Sequence, residues 1–446
     1  MPADFATCIA RFVQRCLGGT ATIDNLCRLT GGANMESWSF DCAGKGYVLR
    51  RSPSAELMAD RPFGHDVEAA VVRSALAAGV KAPQILSEVE PGDSLGTGYL
   101  MHRVEGEVHP AQILVNPPIS LLSDIARELA AIHAVPLATL PKLPETSAAA
   151  LLTDLQSRFT EFGGDRPVMA LAFRWLADHV PGPVDPVLLH GDFRMGNIMV
   201  DANGLAAVLD WELTHLGDRH QDLAFGCINS WRFGYIDKPA FGVGRLDELF
   251  DAYERESGVA VDPDRFRWWL IYSTLWWGIC CLQMADIWRS RMDPGLERAV
   301  IGRRASETEV DLLMLLEEDA PAAERRPVIR PEGSGSESNQ QGEPSASELI
   351  QAIIGWIETD IRTPAQGRDR FMASVALNAL GMLRREVDAP INIHDRALSE
   401  ELMAGSKSLA TPGLLGHLKA QSLAKLRVDQ PKYSALAVAR AKWEKA

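Results

Sequence analysis

The sequence predicts an α+β chain in three parts: a small strand-rich lobe, a larger mostly helical lobe, and an all-helical tail. Three observations carry this. Short alternating runs separated by glycine-containing turns crowd residues 24–104. Beyond Leu246 the apolar residues recur at helical spacing. Between them and the tail, residues 320–346 are rich in Pro, Gly, Ser and Glu and hold too little apolar surface to bury a core, which marks a linker. The expected parts are residues 1–104, residues 105–319, the linker 320–346 and the tail 347–446.

In order, Thr22–Leu29, Ser37–Cys42 and Tyr47–Arg51 read as strands, and His65–Leu76 as a helix stopped by Gly79. Gln84–Val89 and Gly98–Val104 read as two further strands. Residues 119–134 form an amphipathic helix capped at Ser120 or Ser123 and closed before Pro136; residues 166–180 form another. In the tail, Ser347 opens a helix to about Ile361, and Arg370–Glu386 is strongly periodic. Thr411-Pro412 and Asp429 with Pro431 open the last two.

Composition narrows the class. The chain has 446 residues, 46% hydrophobic and 23% charged, the profile of an ordinary globular protein. A net charge of −14 disfavours non-specific binding to nucleic acid or to an anionic membrane. The acidity lies before the tail, which holds 14 Lys and Arg against 11 Asp and Glu. Seven cysteines without framework spacing read as reduced thiols, hence a cytoplasmic setting. The first nineteen residues lack the continuous apolar run of a leader. Trp268–Ala285 is free of charge and approaches the length of a membrane span. Four tryptophans crowd its N-terminal half and polar residues interrupt it, so a buried core helix is expected.

The chemistry is concentrated in Val187–Phe225. Apolar runs Val187–Leu189 and Ile198–Val200 flank a polar loop, and a turn at Asn203-Gly204 leads to a third run, Ala206–Leu209, ending at Asp210. Asp192, Asn197 and Asp210 thus sit in loops beside buried strands. Phosphoryl transfer needs such a set: a carboxylate to orient the attacking hydroxyl and accept its proton, and hard oxygen ligands for magnesium on a triphosphate. Asp192 suits the first role, and Asn197 with Asp210 the second. Taken singly, each is ordinary turn chemistry; their joint spacing is the signal.

This segment, His190-Gly191-Asp192 with Asn197 and a strand ending in Asp210, resembles the aminoglycoside phosphotransferase and choline kinase-like family, relatives of the protein kinases. The likeness runs from residue 25 to about 290. It implies a protein kinase-like bilobal fold, with an antiparallel sheet and a helix in the N-lobe and a mostly helical C-lobe, and the cofactors ATP and Mg2+. It also implies a glycine turn over the phosphates at Gly31 and Gly32, although Asn34 and Met35 depart from the usual pattern there. Val48 would lie against adenine, and Arg50 would reach the phosphates, with Arg51 the alternative in a shifted register. Glu68 would pair with that arginine, and the segment containing Met101 and Arg103 would clasp adenine. His190 and Asp222 would support the catalytic loop, and Glu212 would lie near substrate or metal. His133 is expected to pack at a helix end.

The run Val208–Asp218 looks most like the branch fused to acyl-CoA dehydrogenases, which makes a hydroxyacyl-CoA the leading acceptor. An aminoglycoside or amino-alcohol kinase, or a nucleotide-binding pseudokinase or scaffold, are the alternatives. The tail resembles an uncharacterised helical domain that accompanies such phosphotransferases, and a packing, partner-binding or self-association role is expected of it.

Overall fold

The computed structural model describes residues 3–18, 22–29, 35–53, 58, 61–292, 295–327, 346–389 and 391–444. Helix α1 (Ala3–Leu17) leads into a five-stranded antiparallel sheet: β1 (Asp24–Arg28), β2 (Glu36–Cys42), β3 (Lys45–Ser52), β4 (Ile85–Glu88) and β5 (Thr97–His102), in the order β1-β2-β3-β5-β4. Helix α2 (His65–Ala77) joins β3 to β4. Successive side chains of a strand face opposite ways. On β3, Tyr47 and Leu49 therefore pack with Phe40 and Leu100 against Ile9, Phe12 and Val13 of α1. Val48 and Arg50, opposite Met101 and Tyr99, take the other face. The leading segment, read only as lacking a leader's apolar run, is thus the amphipathic cover of one sheet face.

The larger lobe contains α3 (Pro110–Ile113), α4 (Leu121–His133), α5 (Ala148–Glu161) and α6 (Pro167–Asp178). Two small antiparallel pairs follow: β6 (Val187–Leu189) with β9 (His215–Gly217), and β7 (Ile198–Asp201) with β8 (Gly204–Val208). Helices α7 (Arg219–Phe225), α8 (Leu246–Ser257), α9 (Pro263–Arg289), α10 (Leu296–Gly302) and α11 (Ala305–Leu316) complete it.

Two local expectations are corrected. The hairpin turn is Ala202-Asn203, one residue before Asn203-Gly204, because the Asp201 carboxylate accepts the Asn203 N–H (2.7 Å) and folds an Asx turn. Ser120 does stand at the start of α4, but makes no side-chain cap; its hydroxyl donates to Asp124 (2.9 Å). Helix α9 alone among the described residues is long and apolar enough to cross a membrane. Trp268, Trp269, Ile271, Leu275 and Ile279 are all buried in the core of this lobe, as a core helix requires.

In the tail, α12 (Ala346–Trp356) runs through a π-helical turn (Ile357–Arg362) and is followed by α13 (Gly367–Asp388), α14 (Arg396–Met403), α15 (Leu414–Asp429) and α16 (Ser434–Trp443). Asp429 ends α15 and does not open the next helix; it is buried and pairs with Lys425 and Arg303. Helix α12 buries no residue and α13 only Ala373 and Met382, whereas α15 and α16 are deeply embedded. Leu398, Leu402, Leu415, Leu418, Leu426 and Trp443 belong to the same hydrophobic cluster as Val310 and Leu313 of α11. The buried Lys419 ammonium lies 2.6 Å from Glu317, and the Trp443 indole N–H donates to the same carboxylate (2.9 Å).

Candidate active site

The glycine of His190-Gly191-Asp192 is dictated by space. Gly191 has φ +81°, and a Cβ there would meet the Leu213 carbonyl oxygen at 2.2 Å. The loop is held from below by Asp222, on α7. Its carboxylate accepts the backbone N–H of His190 (2.7 Å) and of Gly191 (2.9 Å). Burial alone would raise the Asp222 pKa, but His133 and His190 beside it, with these N–H groups, hold it below the usual carboxylate range. His133 is therefore more than a helix-end packing residue: its Nε2 lies 3.5 Å from Asp222 and its Nδ1 2.7 Å from the Tyr253 hydroxyl.

His190 is fully buried, and burial lowers its pKa, so the ring is neutral. Its Nε2 faces the Leu209 carbonyl (3.0 Å) and its Nδ1 accepts the Asp192 N–H (3.2 Å), which assigns the tautomer. The ring ties the His190–Asn197 loop to the end of β8. The Leu209 N–H donates to the Asn197 carbonyl (2.7 Å), so the hairpin brings Asn197 and Asp210 together.

Asp192 is gripped on both oxygens, by Arg194 Nε at Oδ1 (2.8 Å) and by Asn197 Nδ2 at Oδ2 (2.5 Å). Burial raises its pKa, and Arg194 opposes the shift. Asn197 also donates to the Asp192 carbonyl (2.9 Å), so its amide nitrogen is occupied and its oxygen is the acceptor left. Asp210 follows β8 in a left-handed conformation, φ +66°, strained backbone of the kind functional sites retain.

Arg50 joins the two lobes. Its Nη2 lies 2.5 Å from Asp210 and 2.7 Å from Glu212, and its Nε 3.3 Å from Glu68. Burial opposes its charge, yet Asp210 and Glu68 hold its pKa well above the ordinary arginine value. Burial would raise the Asp210 carboxyl, but Arg50, with His190 and Arg194 nearby, holds it below the usual carboxylate range. Glu68, buried on α2, stays raised by burial despite Arg50; the Tyr99 hydroxyl donates to it (2.9 Å). Glu212 is raised by burial and by Asp210, and also meets Arg61 (2.8 Å). Arg51 faces the other way, toward Glu36 and the Phe5 ring, so the unshifted register holds.

Val48 and Met101 share the Arg50 face. The Arg103 guanidinium is engaged by Asp41 (2.9 Å) and Glu105 (2.9 Å). The His102 and Arg103 N–H groups donate to the Gln84 and Gly46 carbonyls (both 3.0 Å), so neither is a free donor for a base. Gly31 and Gly32 lie outside the described residues. Sequence reasoning missed Tyr99, Arg61 and Arg194. Arg194 stood inside the motif itself; Tyr99 was marked only by its alternation with Met101.

Four carboxylates (Glu68, Asp192, Asp210, Glu212) face three guanidiniums (Arg50, Arg61, Arg194), leaving the site short of positive charge. Among the described residues no three His, Cys, Asp or Glu surround one point. The oxygens of Asp210 and Asn197 therefore fit a magnesium ion completed by phosphate oxygens and water, not a protein-only cage.

Residues 26–269, more than half of the chain, match the phosphotransferase enzyme family (APH). The mouse acyl-CoA dehydrogenase family member 10 is 27% identical over 266 residues, covering 52% of this chain and 23% of that protein. The chicken acyl-CoA dehydrogenase family member 11 is 27% identical over 299 residues, covering 59% and 37%. The chain thus spans well under half the length of these relatives. A probable aminoglycoside 3'-phosphotransferase of Lactococcus lactis is 23% identical, covering 39% of this chain and 70% of that one. Among solved structures, a putative aminoglycoside phosphotransferase from Ralstonia eutropha superposes with a TM-score of 0.53 at 19% identity, covering 70% of this chain and 98% of that one. At that identity the likeness concerns the bilobal fold. The chain belongs to the phosphotransferase enzyme family, whose members act on hydroxyl groups of small molecules.

Proposed function

We propose that this protein transfers the γ-phosphoryl group of ATP, with Mg2+, to the hydroxyl of a hydroxyacyl-CoA. The observation that carries the reaction is the assembly, by one hairpin, of Asp192, Asn197 and Asp210 beneath the Arg50–Glu68 pair. Asp192, held on both oxygens, orients the acceptor hydroxyl. As the oxygen–phosphorus bond forms and the bond to the β-phosphate oxygen breaks, its carboxylate takes the proton and ADP leaves. Arg50 exchanges Asp210 for phosphate oxygens, retaining Glu68 as its anchor. Val48 and Met101 supply the apolar wall for adenine. Bound at Asn197 and Asp210, Mg2+ would offset the charge of the phosphates.

The acceptor class rests on the relatives of the acyl-CoA dehydrogenase family. Charge does not select it, because the Arg194 guanidinium is matched by Asp192. All seven cysteines are free, which supports a reducing, cytoplasmic setting. The test incubates the protein with ATP, magnesium and separate pools of hydroxyacyl-CoA compounds, amino alcohols and aminoglycosides, followed by mass spectrometry. The expected result is a gain of one phosphate in the acyl-CoA pool, absent with Asp192→Asn. Phosphorylation confined to another pool rejects the acceptor. Absence of nucleotide binding rejects the reaction.

A further inference from the structure

The matched family region ends at residue 269, far before the tail, yet a tail side chain reaches the support of the catalytic loop. Arg194, which donates to Asp192, lies over the Trp231 ring, 4.5 Å from its centroid. Trp231 is buried at the end of a 3-10 turn, Asn229–Trp231, with the Trp277 ring 4.6 Å away. That turn is pinned by a single carboxylate of α11. Asp311 Oδ1 accepts the Asn229 amide (3.1 Å), and its Oδ2 accepts the Tyr433 hydroxyl (2.5 Å). Tyr433 stands between α15 and α16 and also meets Ser230 of the same turn.

We infer that Tyr433 is a positioning residue for phosphoryl transfer: through Asp311 and the Asn229–Trp231 turn it fixes the aromatic floor on which Arg194 holds Asp192. The tail is then part of the catalytic apparatus. Helices α15 and α16 make a second anchor, Lys419 and Trp443 on Glu317, that does not touch this turn. The two anchors separate positioning from mere docking. Arg50 and Glu68, proposed to reach the phosphates, belong to the other lobe, so the loss of Tyr433 is expected to fall on kcat.

The inference rests on Asp192 acting as the orienting carboxylate, and two readouts on the full chain keep the two readings apart. The first is steady-state phosphoryl transfer to the acceptor found by mass spectrometry, or magnesium-ATP hydrolysis to water when no acceptor responds. Tyr433→Phe is expected to lower kcat on the order of tenfold with an unchanged KM for ATP. Trp443→Phe is expected to lower the melting temperature and leave kcat unchanged. The second readout needs no activity. In protein labelled with 5-fluorotryptophan, the Trp231 resonance, assigned by its loss in Trp231→Phe, is expected to shift in Tyr433→Phe and stay in place in Trp443→Phe. Wild-type kcat in Tyr433→Phe, or an unmoved Trp231 resonance, overturns the inference. A wild-type chain that turns over no ATP overturns the proposed reaction instead, while the fluorine spectrum still decides the role of Tyr433.

Discussion

Arg50 is the residue on which most of the site's electrostatics turn. Its guanidinium is the buried partner of Glu68 and opposes the rise that burial gives that carboxyl, with Tyr99 as the neutral donor. Removing one member of a buried pair leaves the other desolvated and uncompensated. Arg50→Ala is therefore expected to destabilise the fold by about 3–5 kcal/mol and to abolish turnover. Combining it with Glu68→Leu should recover much of the stability and none of the activity, read from urea midpoints beside the transfer assay. Full loss of stability in the double variant would mean that Asp210 and Glu212, not Glu68, depend on Arg50 for their place. At this scale the motif residues His190, Asp192, Asn197 and Asp210 were legible because their spacing is local. Tyr99 was not, since a contact between α2 and β5 has no signature in linear order; Arg194 stood two residues from Asp192, where its polar character alone does not tell a partner from a solvated side chain.

At the scale of the element, α11 behaves as a buried polar spine. Glu307, Glu309, Asp311 and Glu317 on or beside it are all buried and face Arg304, Arg166, Tyr433 and Lys419. Asp311 is the exception without a full ionic partner: burial raises its pKa from 3.8 to about 7 against the donors Tyr433 and Asn229 and the nearby Arg232. The folded chain thus binds this proton more tightly than the unfolded chain. Its contribution to stability is present below about pH 4 and is lost as pH rises toward about 7. Asp311→Asn, which cannot ionise, should show a stability relative to wild type that climbs across that window and levels off above it, by about 4 kcal/mol at most. Urea unfolding at several pH values checks this; a difference that is flat with pH would place the Asp311 pKa near its ordinary value. The composition of α11 hinted at none of this, because three acids on one helix, with Glu317 just beyond it, read as a solvated face until their partners arrive from other elements.

For the whole molecule, the tail changes meaning. The linker composition marks a boundary in sequence, but α14, α15 and α16 fill the same core as α6 and α11, and Asp395 bonds backbone to backbone with Asp165 (2.8 Å). A chain ending at residue 327 would expose Val310, Leu313 and their neighbours, an apolar patch that a globular protein seldom tolerates. That truncation is expected to aggregate or to melt well below the full chain, measured by thermal unfolding and light scattering. A truncated chain that stays monomeric and melts like the parent would restore the tail to the status of a separate unit. By contrast α12 leaves Leu349, Ile353 and Trp356 exposed, so the tail is unevenly embedded.

The sequence by itself determined the two-lobed fold, the five strands of the N-lobe, the core character of α9 and the grouping of Asp192, Asn197 and Asp210, since each is written in local periodicity, turn chemistry or fixed spacing. Between Arg50 and Arg51 it left one residue of register open, and the packed sheet turns Arg50 toward Asp210 and Arg51 toward Glu36. Only the tertiary structure decided that α1 covers the opposite face, that His133 braces Asp222, and that Tyr433 and Trp443 close the C-lobe. Those outcomes depend on which buried polar groups and apolar faces find each other across hundreds of residues, and such pairing is a property of the packed core, not of any one segment.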